Sequence, residues 1–226
     1  MLIKSYAKVN LNLKVSKKKK NLHKINSIFT IVPDLYDEIE IVESNETQDL
    51  ITCNFKELEK KNFIYTVLNY LRDKKIITSY YNIKIFKNIP IGSGLGGGSS
   101  NAIAVAKYFT NNIKILKKIS KTIGTDCYFF IWNFSTARVK SYGNKVKKIP
   151  DKIQIKFEDL IFTKVKCDTK KVYEKFDEIK GWKNKCEKNM LEIPALELYP
   201  TLIKYKELGQ LSGSGSTFIK KTSLLK

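Results

Sequence analysis

Apolar and polar residues alternate near the start of the chain: Val9, Leu11, Leu13 and Val15 fall on one side, Asn10, Asn12 and Lys14 on the other. A period of two predicts a strand with one face in a core. INSIFTIV and DEIEIVES predict two further strands, and YYNIKIFKNIP another with Ile83 and Ile85 on one face. Ile64, Val67, Leu68 and Leu71 recur instead at helical intervals, so NFIYTVLNYLRDK is expected as an amphipathic helix. NAIAVAKYFT and IKILKKISKTIG predict two more helices, the second stopped by Gly124. CYFFIW and TARVKSYG are expected as strands. After Pro150 the texture changes. DLIFTKV predicts a strand, TKKVYEKFDEI a helix, PALELYPTLIKYKEL a helical stretch, and QLSGSGSTFIKK a glycine-serine turn before a short strand. The basic run Lys17–Lys20 lies between strand-like segments and is expected to be a solvated hairpin turn. No internal repeat is visible. The expected fold is α+β in two parts, residues 1–149 and 150–226.

One segment stands out between a predicted strand and a predicted helix. PIGSGLGGGSS, Pro90 to Ser100, holds five of the chain's 11 glycines. A flexible linker would have polar flanks without firm secondary structure. Here the flanks are patterned, which is the context an anion site needs. Backbone N–H groups at a helix start point outward and the helix dipole adds partial positive charge. Glycines let the backbone curl around phosphate oxygens with no Cβ in the way. Pro90, Ile91, Gly92, Ser93, Gly94, Leu95, Gly96, Gly97, Gly98, Ser99 and Ser100 are therefore candidate nucleotide-binding residues, with the two final serines expected at the helix start. No lysine precedes Ser99, so a Walker A loop does not fit. The dinucleotide fingerprint does not fit either, because several strands come first.

The net charge of +20 would suit a nucleic-acid partner, yet only Arg72 and Arg138 are arginine. Arginine is the usual reader of bases and phosphates. Its scarcity, with the surplus of Ile, Asn, Tyr and Phe, points to A/T-rich codon usage and against specific nucleic-acid readout. Cys53, Cys127, Cys167 and Cys186 form no C-x-x-C pair, and His23 is the single histidine, so no zinc-type cluster is expected. No carboxylate near the glycine-rich segment identifies itself as a metal ligand. No apolar run reaches membrane-spanning length and no signal-peptide pattern opens the chain, so a cytoplasmic protein without a membrane partner is expected.

PIGSGLGGGSSNA resembles the phosphate loop of the GHMP small-molecule kinases. Other segments resemble that family in the right order: YAKVNLNL, NLHKINSIFTIVPDLYDEI, GTDCYFF, CDTKKVY, NMLE and LSGSGSTF, spanning Tyr6 to Phe218. Three positions depart from the family pattern. Leu22 stands where tyrosine is usual, Tyr128 where proline is usual, and Met190 where an acidic residue is usual. Only KKTSLLK follows Ile219. The resemblance thus implies a two-domain GHMP-kinase architecture with a shortened C-terminal domain, offset by different packing or by self-association as a homodimer.

The resemblance also implies roles. Lys8 and Asp126 would form the catalytic pair, Asp126 taking the proton of the acceptor hydroxyl while Lys8 orients it and offsets developing charge. An aspartate before an apolar strand would need such a cation to stay ionised. His23 would hydrogen-bond a cytosine, Tyr173 would stack on it and Thr169 would add a polar contact. Asn10 and Asn12 would orient polar groups of the substrate, and Gly213, Ser214, Gly215 and Ser216 would offer N–H groups to a diphosphate. The implied activity is phosphorylation, by ATP with Mg²⁺, of the 2-hydroxyl of an alcohol carrying a cytidine diphosphate moiety, in non-mevalonate isoprenoid precursor biosynthesis. The alternatives are a GHMP kinase for another small alcohol, a decayed member that only binds nucleotide, and a basic nucleic-acid-binding domain.

Overall fold

The structure, a computed structural model, describes residues 1–19, 22–184 and 188–224. The chain packs as two compact units of interleaved segments. The first holds Met1–Ala7, Leu35–Ile89 and Gly96–Asn133, the second Lys8–Asp34, Pro90–Leu95 and Phe134–Lys226. Strands β1 (Leu2–Val15) and β2 (Ile25–Ser44) contribute residues to both. The two strands expected at INSIFTIV and DEIEIVES are therefore one strand of 20 residues. Pro33 does not break it. The strand's ladders with Thr136–Ser141 and Tyr80–Phe86 cover Ile25–Thr30 and Glu38–Ser44, and the proline's missing N–H falls between those two; β1 pairs with β2 as well.

In the first unit, β3 (Leu50–Cys53), α1 (Glu57–Lys60), α2 (Phe63–Asp73) and β4 (Tyr80–Phe86) follow β2. β4 pairs antiparallel with β2 and parallel with β3. Asn62 caps α2 by accepting from Ile64 N–H at 3.1 Å, and Ile64, Val67, Leu68 and Leu71 are its buried stripe. Helices α3 (Gly97–Phe109), α4 (Ile113–Ile123) and α5 (Cys127–Phe130) complete the unit. Their apolar faces join Ile39, Ile41, Ile83 and Ile85 of the strands in one core.

α5 corrects a strand expectation. CYFFIW is helical at its start because i→i−3 bonds already bind the preceding turn, from Cys127 N–H to Gly124 O at 3.2 Å and from Phe129 N–H to Asp126 O at 3.1 Å. A short apolar run carries no period to separate the two forms.

In the second unit, the first half of β2 pairs antiparallel with β5 (Thr136–Ser141), and β5 with β6 (Lys145–Lys148). A three-stranded sheet follows, built from β7 (Leu160–Ile161), β8 and β9, with α6 (Thr169–Glu178), α7 (Glu192–Leu198) and α8 (Ile203–Lys206) preceding β8 (Gly209–Leu211) and β9 (Phe218–Lys220) in sequence. The helical stretch expected from PALELYPTLIKYKEL is divided at Pro200, where a 3-10 turn intervenes. Val172, Phe176, Leu191, Leu196, Leu211 and Phe218 form the core. Met190 belongs to it too, its Sδ accepting from Val15 N–H at 3.2 Å. At the expected hairpin turn, Lys19 and Leu22 exchange backbone hydrogen bonds, while Lys20 lies outside the described residues, as does Cys186. Among the described residues no helix is long and apolar enough to cross a membrane.

Candidate active site

The glycine-rich segment has the backbone that its composition predicts. Gly92, Gly94 and Gly96 have φ of 69°, 76° and 72°, the left-handed region that other residues avoid. α3 begins at Gly97, so Ser99 and Ser100 lie inside the first turn instead of capping it. Gly96 is the N-cap and provides no side-chain acceptor. The first helical bond runs from Ser100 N–H to Gly96 O at 2.9 Å, leaving the N–H groups of Gly97, Gly98 and Ser99 ahead of it. The space above them is tight. A Cβ on Gly97 would stand 3.0 Å from Lys87 Nζ, and one on Gly98 3.5 Å from the Phe63 ring.

That ammonium belongs to a buried ion pair in the first unit. Lys87 Nζ lies 2.5 Å from Asp37 Oδ2, and Asp37 is fully buried. Asp37 Oδ1 accepts from the N–H groups of Asn88 and Ile89, both at 2.8 Å. The charge is thus completely hydrogen-bonded, as a buried carboxylate requires. In the same unit, Ser5 Oγ donates toward Ser100 Oγ at 2.7 Å and Asn101 Oδ1 at 2.8 Å.

Asp126 is half-buried at the start of α5. Next to it, Cys127 Sγ points to Ser99 O at 3.8 Å and ties this turn to the first turn of α3. Burial pushes the Cys127 thiol up to about 12, with the adjacent Asp126 carboxylate acting in the same direction.

In the second unit, Lys8 is the centre of a cluster. Its side chain, 3% exposed, donates from Nζ to Asn10 Oδ1 at 2.8 Å and to Gly94 O at 3.0 Å, and lies 4.8 Å from the Phe29 ring centroid. Lys8 N–H also donates to Leu95 O at 3.0 Å. Asn10 is fully engaged: Nδ2 donates to Ser27 Oγ at 2.9 Å, and its N–H to Ser212 Oγ at 2.9 Å. Asn12 Oδ1 accepts from Ile28 N–H at 2.8 Å.

The second glycine loop closes over this cluster. Gly213 and Gly215 have φ of 60° and 93°. A Cβ on Gly94 would meet Gly215 O at 2.4 Å, and one on Gly213 would meet Asn10 Oδ1 at 3.1 Å. Thr217 N–H donates to Ser93 O at 3.2 Å, and Ser93 Oγ to Pro90 O at 2.6 Å. Ile91 is half-buried and Gly92 exposed. Ser214 Oγ and Thr169 Oγ1 are 2.8 Å apart, and Ser216 O accepts from Thr163 Oγ1 at 3.2 Å.

His23 and Tyr173 meet, with ring centroids 5.1 Å apart and planes tilted by 32°. His23 Nδ1 lies 2.8 Å from Ser16 O, so it carries the hydrogen, and Nε2 faces Asp177 Oδ2 at 3.3 Å. Any hydrogen bond from this ring to a ligand must therefore use Nε2. Leu22, where the family usually has an aromatic ring, is exposed.

The model of the GHMP kinases N terminal domain matches residues 62–131. A curated relative from Ureaplasma parvum serovar 3, named 4-diphosphocytidyl-2-C-methyl-D-erythritol kinase, is 34% identical over 259 aligned residues, covering 97% of this chain and 95% of the relative. The chain belongs to the 4-diphosphocytidyl-2-C-methyl-D-erythritol kinase family. A family member of the same name from Pelagibacter ubique is 37% identical over 252 residues, covering 96% of this chain and 87% of its own. A crystal structure titled 4-(cytidine 5'-diphospho)-2C-methyl-D-erythritol kinase shares the fold, with a TM-score of 0.74 at 22% identity. It aligns with 97% of this chain, which covers 89% of that structure, so this kinase-family chain of 226 residues is the shorter form.

Sequence reasoning left four residues at this site without a role. Asn189, 2% exposed, donates from Nδ2 to Leu211 O and Gly213 O, both at 2.8 Å, and accepts from Leu191 N–H at 3.0 Å. Glu192 Oε2 accepts from Leu211 N–H at 3.0 Å. NMLE thus holds the base of the second glycine loop. The others are Asp37 and Lys87, and their signal was readable. Asp37 alternates with Leu35, Ile39 and Ile41, and Lys87 with Ile83 and Ile85, placing opposite charges at inward positions.

Proposed function

We propose that this chain is an ATP-dependent kinase that phosphorylates the 2-hydroxyl of 4-diphosphocytidyl-2-C-methyl-D-erythritol in non-mevalonate isoprenoid precursor biosynthesis. The observation that carries the reading is the buried Lys8 ammonium, donating at once to Asn10 and to the carbonyl of Gly94 in the glycine-rich loop. A charged group is removed from water at that place only with hydrogen-bonding partners in position, and a kinase family gives it a task.

In this reading Pro90 to Ser100 and the start of α3 receive the donor's phosphates through backbone N–H groups. The fit is supported by the three left-handed glycines and by the N–H groups of Gly97, Gly98 and Ser99 that precede the first helical bond. Lys8 offsets charge as the phosphoryl group moves, and Asn10 holds its ammonium in place. Asp126 accepts the proton of the 2-hydroxyl, and α5 keeps its carboxylate at the end of a fixed turn. Gly213 to Ser216 take the substrate's diphosphate, with Asn12 nearby as a polar contact. Tyr173 stacks on the cytosine, Thr169 contacts it, and His23 Nε2 exchanges Asp177 for the base. Residues 1–149 carry the nucleotide side and 150–226 the substrate side, and the enzyme works in the cytoplasm. Among the described residues no group of three or more His, Cys, Asp or Glu could hold a metal ion. In this reading Mg²⁺ would arrive on the donor's phosphates, where it would neutralise their charge.

A coupled assay of ADP release across several alcohols tests the proposal. Turnover is expected with the cytidine-linked substrate alone, and Asp126→Asn and Lys8→Ala should each reduce kcat by about 10²–10⁴-fold. Equal turnover with homoserine would overturn the substrate assignment.

A further inference from the structure

A groove of about 320 Å³ in the second unit is lined by Arg138, Lys140, Lys145, Val146, Lys147 and Ile149. In the β5–β6 ladder, Arg138 stands opposite Lys147 and Lys140 opposite Lys145. Residues opposite one another, and residues two apart on a strand, share a face. The Cβ atoms of these four residues therefore form a rectangle, ~5 Å across the ladder and ~6.7 Å along it, from which the cations extend. All four are exposed.

Like charges placed opposite weaken a ladder. Among the described residues, none of the four forms an ion pair with a carboxylate. Arg72 shows the contrast, its Nη2 lying 3.0 Å from both oxygens of Asp49. Asp151, on the segment after β6, is turned to Ser135 Oγ at 2.5 Å.

The groove is separate from the Lys8 cluster. In the β2–β5 register Ser27 faces Val139 and Phe29 faces Ala137, all on the buried side, where Ser27 bonds Asn10 and Phe29 lies under Lys8. Arg138 and Lys140 have the opposite parity and point to the other face of the same ladder.

We propose that this groove binds a compact polyphosphate anion, with Arg138 and Lys147 as its main contacts. A guanidinium takes two phosphate oxygens at once, and lysines add point charges beside it. The rectangle fits a short phosphate chain better than an extended nucleic-acid backbone. On β2, the neighbours in register with Lys140 and Arg138 are Asn26 and Ile28, so the four cations in register end with the β5–β6 pair; beyond it Lys24 lies over the Tyr142 ring, and apolar Ile149 lines the groove. A backbone track needs its cations continued along a line.

The probe is inorganic tripolyphosphate, titrated by calorimetry into the full chain and into the double variant Arg138→Ala, Lys147→Ala. Because the glycine-rich loop also attracts phosphate and is the same in both proteins, the groove is read as the difference between the two titrations. At the groove the variant should bind about tenfold more weakly or worse. Removing opposed cations should leave the melting temperature unchanged or higher, which shows that the variant folds. Kinase turnover should be the same in both, so this test stands whether or not the kinase reading does. Equal binding by variant and wild type overturns the proposal. So does tighter binding of an oligouridylate of about a dozen nucleotides that the same variant loses, since that identifies a nucleic-acid surface.

Discussion

Lys8 and Asn10 are each 3% exposed, and neither can be changed without leaving the other's polar atoms in a dry place. Asn10→Ala removes the Oδ1 that meets the ammonium at 2.8 Å. The expected result is a loss of roughly 1–3 kcal/mol of stability together with a fall in kcat, read by thermal melting and steady-state kinetics. If kcat stayed at the wild-type value, Asn10 would have no part in holding the lysine. Cys127 gives a prediction in pH. Its thiol stands at about 12 in the folded protein against an ordinary 9.0, so between those values the native state keeps a proton that the unfolded chain has lost. Its contribution to stability is full below about 9 and is lost as pH rises through about 12. Cys127→Ala should therefore make stability fall less steeply over that window, and alkylation of the native thiol should be slow at neutral pH. Residues at this scale were partly legible: the motif showed the loop glycines, whose φ is positive at Gly92, Gly94 and Gly96. The bonding of Asn10 to Lys8 was not legible, because the alternation showed Asn10 only as a polar position.

Elements meet where two glycine loops touch. Gly94→Ala would drive a methyl group to 2.4 Å from Gly215 O at a φ of 76°. A loss of roughly 2–4 kcal/mol, with activity, is expected from the strain and the collision. Gly124→Ala is the control: nothing lies within 4 Å of its Cβ and its φ of 162° is extended backbone. Comparable melting of the two variants would contradict the packing described. Asn189→Ala should raise KM for a diphosphate substrate more than KM for ATP, since the carbonyls it holds belong to Leu211 and Gly213. Helices α2 and α4 were readable because their stripes repeat at helical spacing and asparagine caps both. α5 was not, since its turn is set by backbone bonds from Gly124 to Phe129, which apolarity does not encode.

For the whole molecule, a charge of +20 on 226 residues repels itself. Raising salt from about 0.05 M to about 0.5 M should raise the melting temperature by screening that repulsion. A falling midpoint would mean that attractive surface ion pairs dominate, and Lys175–Glu197, 3.3 Å apart and partly exposed, would then be the first to mutate. The composition change after Pro150 gave an expected division between residues 149 and 150. The packing units follow a different division because β1 and β2 are long enough to serve both, and pairing between distant segments leaves no local trace in a sequence.

His23 is the single imidazole in the chain, and its side chain, 7% exposed, lies on Tyr173 with Nε2 toward Asp177. Its ring resonances in a nuclear magnetic resonance spectrum thus need no assignment. The ring current of Tyr173 displaces them, and the tautomer fixed by Ser16 O sets the nitrogen shifts. A spectroscopist following that one signal during titration with a cytidine nucleotide has a direct readout of the proposed exchange of Asp177 for a base: a ring that does not shift makes no such contact.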